Sequence, residues 1–495
     1  MNRRLPIVLT VGLLILGTAA SADQLFLDSR PVDPDLFSQA TVEARRVTPN
    51  LAALANGAET LELELFDGTA VTARLSGLEA RGPGDVTWRG HLGDGYRVIL
   101  TLKNGFVVGL VYSPQGVYEV STLPDGTQGF ARVEQDLYEP CAVDGHAGTA
   151  STPKGPAPVG DYEVGALTDV TLLGVYTDEA RIGAGGVAQI EATIQAAIDN
   201  ANTGFIDSLA DTRFTLVHTA EIGWVENGNG SAALSWVIND EETRALRNEY
   251  QADMVGMTIE NWGAFCGVAQ VMRNPSHNFA PLAFQVTRRS CAVGNLTYAH
   301  EHGHNLGFEH DPANGAPPQN ASWPFAFGHF VDGSYRTIMS YSNQCTQGCT
   351  RVAHWSNPDV THNGEPTGIE DERENWLAGN LNDDFSTDFR GKAVGVSVSG
   401  SCPGAITVEM TNAAPSSEVF AVLASPGSFQ LKSTACIGSV LPAGEPFKGV
   451  LPAVSDASGN ATWNINVGPA ACGKPMFVYD FPSCSASATA NLPSD

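Results

Sequence analysis

Leu61, Leu63 and Leu65 alternate with Glu62 and Glu64, a period of two that predicts a strand with one buried face. Turn signals follow at Asp67-Gly68, Gly93-Asp94-Gly95, Asn104-Gly105 and Asp125-Gly126. Residues 97–102 and 107–112 flank Asn104-Gly105 as a hairpin. Residues 60–135 therefore read as a small β-rich unit in which no polar constellation suggests chemistry. Over residues 143–160 the periodicity stops, and Gly, Pro, Ala, Ser and Thr dominate. That composition predicts an exposed linker open to proteolysis.

Beyond the linker the pattern changes to alternating strands and helices. Residues 169–176, 214–217, 252–259, 267–272 and 283–286 are short apolar runs, each predicting a strand. Between them, residues 187–209 carry Ile190, Ile194, Ala197 and Ile198 at spacings of three and four, which predicts a helix. Residues 231–250 and 290–306 read as two more helices, the last ending at Gly307. One sheet with a helical backing is expected, an α/β layout. From residue 391 a period of two returns: Val394, Val396 and Val398 alternate with Gly395 and Ser397. Further short runs at 406–408, 419–423, 463–467 and 475–478, with four cysteines among them, predict a disulfide-stapled β-sandwich.

The composition narrows the function. With 495 residues and 43% hydrophobic content the chain can bury several cores. The 54 acidic and 27 basic residues give a net charge of −27. That balance argues against nucleic acid and against an anionic membrane surface, both of which need clustered cations. Arg3 and Arg4 precede an apolar run over 5–20 and the small-residue site Ala20-Ser21-Ala22, the pattern of a secretory signal peptide. The run falls short of the roughly 20 residues of a spanning helix, and no later segment is long enough. A secreted protein without a transmembrane segment, extracellular or periplasmic, is expected. In such a compartment the nine cysteines should pair, leaving one over. Locality pairs Cys266 with Cys291, Cys345 with Cys349, and Cys402, Cys436, Cys472 and Cys484 among themselves. Cys141, upstream of the linker, is the one left.

Candidate chemistry lies in His300-Glu301-His302-Gly303-His304-Asn305-Leu306-Gly307-Phe308-Glu309-His310-Asp311. Residues four apart share a helix face, so His300 and His304 present their imidazoles to one point. Gly307 can take positive φ, break the helix and return His310 as a third ligand. Three histidines leave the open position of a catalytic zinc site. Glu301 lies beside them as general base, and His302 is expected at the surface or behind the ligands. The expected chemistry is peptide-bond hydrolysis by water, with no covalent intermediate.

These residues, with Thr337-Ile338-Met339-Ser340-Tyr341, resemble the metzincin zinc metallopeptidases, and among them the secreted bacterial reprolysin-like peptidases. The stretch 168–180, the Asn202 region, Cys266-Gly267-Val268-Ala269, Ser290 to Asn295 and Trp355 to Val360 are similar to that family's catalytic domain. The resemblance covers roughly 165–390. It implies a Met-turn at Met339 beneath the histidines and one catalytic zinc ion. It makes Asp311 a structural residue that orients the site. Tyr341 is then either an oxyanion donor or fifth zinc ligand, or a wall of the pocket. Cys141 is the candidate zymogen ligand that fills the open zinc position, the alternative being a buried free thiol. Calcium is possible but not indicated.

The expected organisation is a signal peptide over 1–22, a β-rich propeptide and linker over 23–160, an α/β metzincin-like catalytic domain over 161–390 and a β-sandwich accessory domain over 391–495. The catalytic domain should have a mixed sheet with backing helices, a zinc helix and a Met-turn. The expected partners are protein or peptide substrates, the chain's own propeptide as inhibitor, and a surface or polymer ligand for the C-terminal domain. The other function considered is a catalytically silent zinc-bearing adhesin or binding protein, against which intact Glu301 speaks.

Overall fold

The computed structural model describes residues 23–93, 96–142, 166–432 and 436–494. The signal peptide read at 1–22 and the linker read at 143–160 lie outside the described residues.

The N-terminal unit is a ten-stranded sheet. Its centre is an antiparallel meander from Thr60–Glu64 to Gln128–Val133, extended by Thr41–Pro49 and Phe26–Pro31. The sheet thus begins at Asp23, inside the expected span of 23–160 and ahead of the periodic stretch that starts at residue 60, since its first two strands are short and mostly exposed and show little periodicity. Its two faces have different partners. Val98, Leu100 and Leu102 point into a core with Trp88, Tyr118 and Phe130. Ile99, Val108 and Leu110 point the other way, against Ile190, Ile194 and Ile198 of helix Val187–Asp207.

That helix backs a five-stranded sheet in the order Thr212–Glu221, Thr168–Tyr176, Met254–Ile259, Phe284–Arg288, Gly267–Ala269. The first four strands are parallel and Gly267–Ala269 is an antiparallel edge. Helices Gly230–Asn239 and Glu241–Glu249 cover the opposite face.

Two of the expected long helices are broken. The segment 231–250 divides at Asp240, whose extended backbone ends one helix while its carboxylate accepts from Thr243 N at 2.8 Å and caps the next. The segment 290–306 divides into Arg289–Ala292 and Thr297–Asn305, with Leu296 left-handed between them. Apolar spacing runs on across both breaks, so periodicity alone does not reveal them.

The C-terminal part packs strands Gly395–Gly400, Gly404–Thr411 and Ala461–Val467 against a second sheet built on Glu418–Ser425. Val408, Trp463, Ala421 and Val478 share its core. Disulfides Cys402–Cys472 and Cys436–Cys484 staple it. Cys266–Cys291 and Cys345–Cys349 form as locality suggests, and Cys141 is free and buried.

Candidate active site

Helix Thr297–Asn305 ends at Leu306, and Gly307 turns the chain with φ of 91°. A Cβ at Gly307 would lie 2.8 Å from Asn382 Nδ2 and from Ser322 Cβ, so sterics and φ both require glycine. The turn returns His310 to the helix. His310 Nε2 lies 3.1 Å from His300 Nε2 and 3.0 Å from His304 Nε2.

The other ring nitrogens are each beside a carbonyl. His300 Nδ1 is 2.9 Å from Ile338 O, His304 Nδ1 is 2.8 Å from Phe308 O, and His310 Nδ1 is 3.3 Å from Asn314 O. A carbonyl only accepts, so each Nδ1 carries the proton and each Nε2 a lone pair. Burial and mutual repulsion hold His300 and His310 well below the usual imidazole range, and burial lowers His304. Three neutral lone pairs converging on one buried point repel one another unless a cation sits between them. The residues therefore fit a metal of the kind imidazole prefers.

Of the two places expected for His302, the surface is excluded. It is fully buried on the far side of the helix, against Phe214 and Tyr298, with Gln285 Nε2 3.4 Å from its Nε2. Met339 is fully buried, and its sulfur is 2.7 Å from where a Cβ on Gly303 would stand. The thioether thus fills the notch that glycine leaves in the His-bearing helix.

Glu301 is fully buried and lies under the edge strand. A Cβ on Gly267 would come within 2.5 Å of its Oε1. Cys141 closes the same space: ligand atoms of Cys141, His300 and Glu301 all lie within 4.8 Å of one another. Burial and the Glu301 carboxylate push the thiol well above its usual range. The chain around Cys141 follows the edge strand, with Cys266 N donating to Pro140 O at 3.0 Å and Ala142 N to Gly267 O at 2.8 Å. Tyr341 Oη donates to the Cys141 carbonyl at 3.3 Å, and its ring centroid is 4.2 Å from that of His310. Asp311 accepts from Tyr341 N at 3.1 Å and holds Asn314 Nδ2 with both oxygens at 2.9 Å.

Residues 166–356 match the family described as Metallo-peptidase family M12, in its reprolysin-like branch. Those residues are a reprolysin-like metallopeptidase domain. The chain is similar to a peptidyl-Asp metalloendopeptidase of Xanthomonas campestris pv. campestris, 28% identical over 74% of this chain and 94% of that protein. It is similar to one of Stenotrophomonas maltophilia, 28% identical over 73% of this chain and 88% of that protein. Among solved structures, metalloproteinase-II from Bacteroides fragilis overlaps 53% of this chain and 84% of that one, with 14% identity and a TM-score of 0.26.

Three features of the metallopeptidase domain escape a reading for motifs. Gly267 is needed for the space that Glu301 occupies, and only the fold brings them together. Glu191, Gln195, Asp199, Thr203 and Asp207 form a stripe of spacing four on the long helix, legible in the sequence but without a visible partner. The N-terminal sheet supplies the partners: Asn104 to Glu191 at 2.7 Å, Thr87, Thr101 and Arg81 to Asp199, Arg89 to Thr203 at 2.9 Å, and Arg97 to Asp207 at 2.6 Å. The unit read as free of chemistry is thus the cationic half of an interface. Finally, Arg336 and Arg351 lie buried behind Ser340, with no local sequence signal to mark them.

Proposed function

We propose that the chain is the latent precursor of a secreted zinc endopeptidase that cleaves proteins beside aspartate. The observation that carries the catalytic reading is the convergence of three buried Nε2 lone pairs next to the Glu301 carboxylate. The aspartate clause comes from the relatives' shared description as peptidyl-Asp metalloendopeptidases.

His300, His304 and His310 would hold the metal. Zinc bound there supplies a Lewis acid for the peptide carbonyl and lowers the pKa of an attacking water to about 7. Glu301 takes the proton of that water and passes it to the leaving amine. Tyr341 donates to the carbonyl of the scissile peptide as negative charge develops on it. Its hydrogen bond to the Cys141 carbonyl, a main-chain carbonyl lying across the cleft, supports that role over a mere wall. Asp311 fixes the Tyr341 backbone and orients the loop that bears His310. An extended substrate adds to edge strand Gly267–Ala269 by main-chain hydrogen bonds.

In the precursor residues 140–142 take that path, and Cys141 occupies the position water needs. Cleavage in the linker turns an intramolecular ligand into a dissociable one, and its effective concentration falls from the mM range. Processed protein should degrade casein, lose activity to a chelator and regain it with zinc. Chelator-resistant proteolysis, or none from protein with full zinc content, would overturn the reading.

A further inference from the structure

Behind the three histidines two arginines are buried with no carboxylate in ion-pair contact among the described residues. Arg336 and Arg351 are each 3% exposed. Arg336 Nη1 and Arg351 Nη2 both donate to the Ser340 carbonyl at 3.0 Å, and Arg351 Nη1 donates to Asn295 O at 2.9 Å. The Nε of each has no hydrogen-bond partner. Asp136 of the N-terminal unit is near enough to favour the charge on Arg336 without touching it. Arg247, buried more deeply still, differs: its Nε, Nη1 and Nη2 donate to the carbonyls of Ala252, Ala280 and Asp253. Arg247 is a filled structural site, whereas the Arg336 and Arg351 pair retains unused donors.

Two like charges side by side in a dry site are costly unless an anion joins them. Buried donors without acceptors call for the same explanation. The pair also lies beside the candidate site, because the Ser340 carbonyl that both arginines bind stands between Met339 and Tyr341. The N-terminal unit covers it. Gln135 brackets Arg351, its Oε1 accepting from Arg351 N at 2.6 Å and its Nε2 donating to Arg351 O at 3.3 Å. Tyr112, from strand Phe106–Ser113, brings a buried hydroxyl that has no hydrogen-bond partner into the buried cluster that holds Tyr335 and Val352, the chain neighbours of the two arginines.

We propose that Arg336 and Arg351 form the socket that reads the carboxylate of the substrate aspartate beside the scissile bond, and that Tyr112 stops this socket in the precursor. The inference rests on the peptidase reading above and assigns its specificity to two residues. Guanidiniums match a carboxylate with parallel N–H donors, which a neutral amide cannot reproduce. A neutral phenol fills the volume without satisfying the charge, so the stopper leaves with the N-terminal unit and aspartate replaces it.

The test uses processed enzyme and peptides that differ only in Asp, Asn or Ala at that position. Wild type should favour Asp over Asn in kcat/KM on the order of 10,000-fold. Arg336→Gln and Arg351→Lys should each reduce that ratio by about 100-fold. An unchanged ratio, with both rates falling together, overturns the socket and leaves the peptidase standing. A wild type that cleaves without acidic preference overturns the socket and the aspartate clause together. A second measurement leaves the catalytic domain intact. In the full-length precursor, Tyr112→Glu should offer the arginines a carboxylate and slow activation roughly tenfold, while Tyr112→Phe should not. Faster activation of Tyr112→Glu refutes the socket even if no wild-type cleavage is found.

Discussion

Thr87 of the N-terminal sheet donates its hydroxyl to the buried carboxylate of Asp199 at 2.6 Å, across 112 residues of chain. Thr101 donates to the same oxygen at 2.5 Å, and Arg81 reaches both carboxylate oxygens at 3.1 and 3.3 Å. Asp199 is wholly inaccessible, and these three side chains of the N-terminal unit cover its carboxylate. Removing one partner of a buried charged network leaves the others unsatisfied. Asp199→Ala should therefore loosen the unit by about 2–5 kcal/mol. The readout is proteolytic activity of the uncut precursor, which should rise above wild type. Equal latency in the two proteins would mean that apolar contact alone holds the unit.

Glu301→Gln should keep its metal and lose proteolysis by a factor of about 100 to 10,000, the usual weight of a general base. Gln keeps the volume in the tight space beneath Gly267, so packing is preserved. Metal content by elemental analysis and casein turnover separate the two effects. Full activity in this variant would end the mechanism.

Cys141→Ser should give a precursor that is active before any cut. The thiol is within 4.8 Å of the His300 and Glu301 ligand atoms, where under the proposed mechanism it would displace the water that Glu301 deprotonates. A silent Cys141→Ser precursor would instead mean that residues 140–142, hydrogen-bonded along the edge strand, block the cleft by cover alone.

The hold of the N-terminal unit should weaken as pH rises. Glu119 of that unit is pushed up to about 7 by burial, opposed by Arg289 and by Tyr138, which approach it from the catalytic domain and from its own unit. A carboxyl with a raised folded-state pKa binds more protons folded than unfolded between its usual 4.5 and about 7. Stability therefore falls across that window and levels off above it. Spontaneous activation of purified precursor should be slower at pH 5 than at pH 7.5, and Glu119→Gln should flatten the difference. A wild-type profile as flat as that of Glu119→Gln would remove Glu119 as the cause.

The sequence by itself determined the parts whose geometry is local. A helix repeats every 3.6 residues, so the spacing of His300 and His304 already set two imidazoles on one face. Gly307 supplied the turn for His310 because only glycine tolerates that φ at no cost. Short sequence separation likewise made Cys345–Cys349 legible. What joins distant segments needed the tertiary structure. The Asp199 stripe was visible as a polar face, but its arginine and threonine partners lie on a sheet about a hundred residues upstream, where strand register decides which side chains reach it. His302 has a polar side chain, yet the fold buries it, because that face of the helix lies against Phe214 and Tyr298. Gly267 is needed only because Glu301 arrives beneath it. Arg336 and Arg351, ordinary cations in the sequence, become a buried pair only once the chain on either side of Cys345–Cys349 folds back on the Ser340 carbonyl. Local stereochemistry wrote the three-histidine cluster into the chain, and long-range packing alone decided what surrounds it.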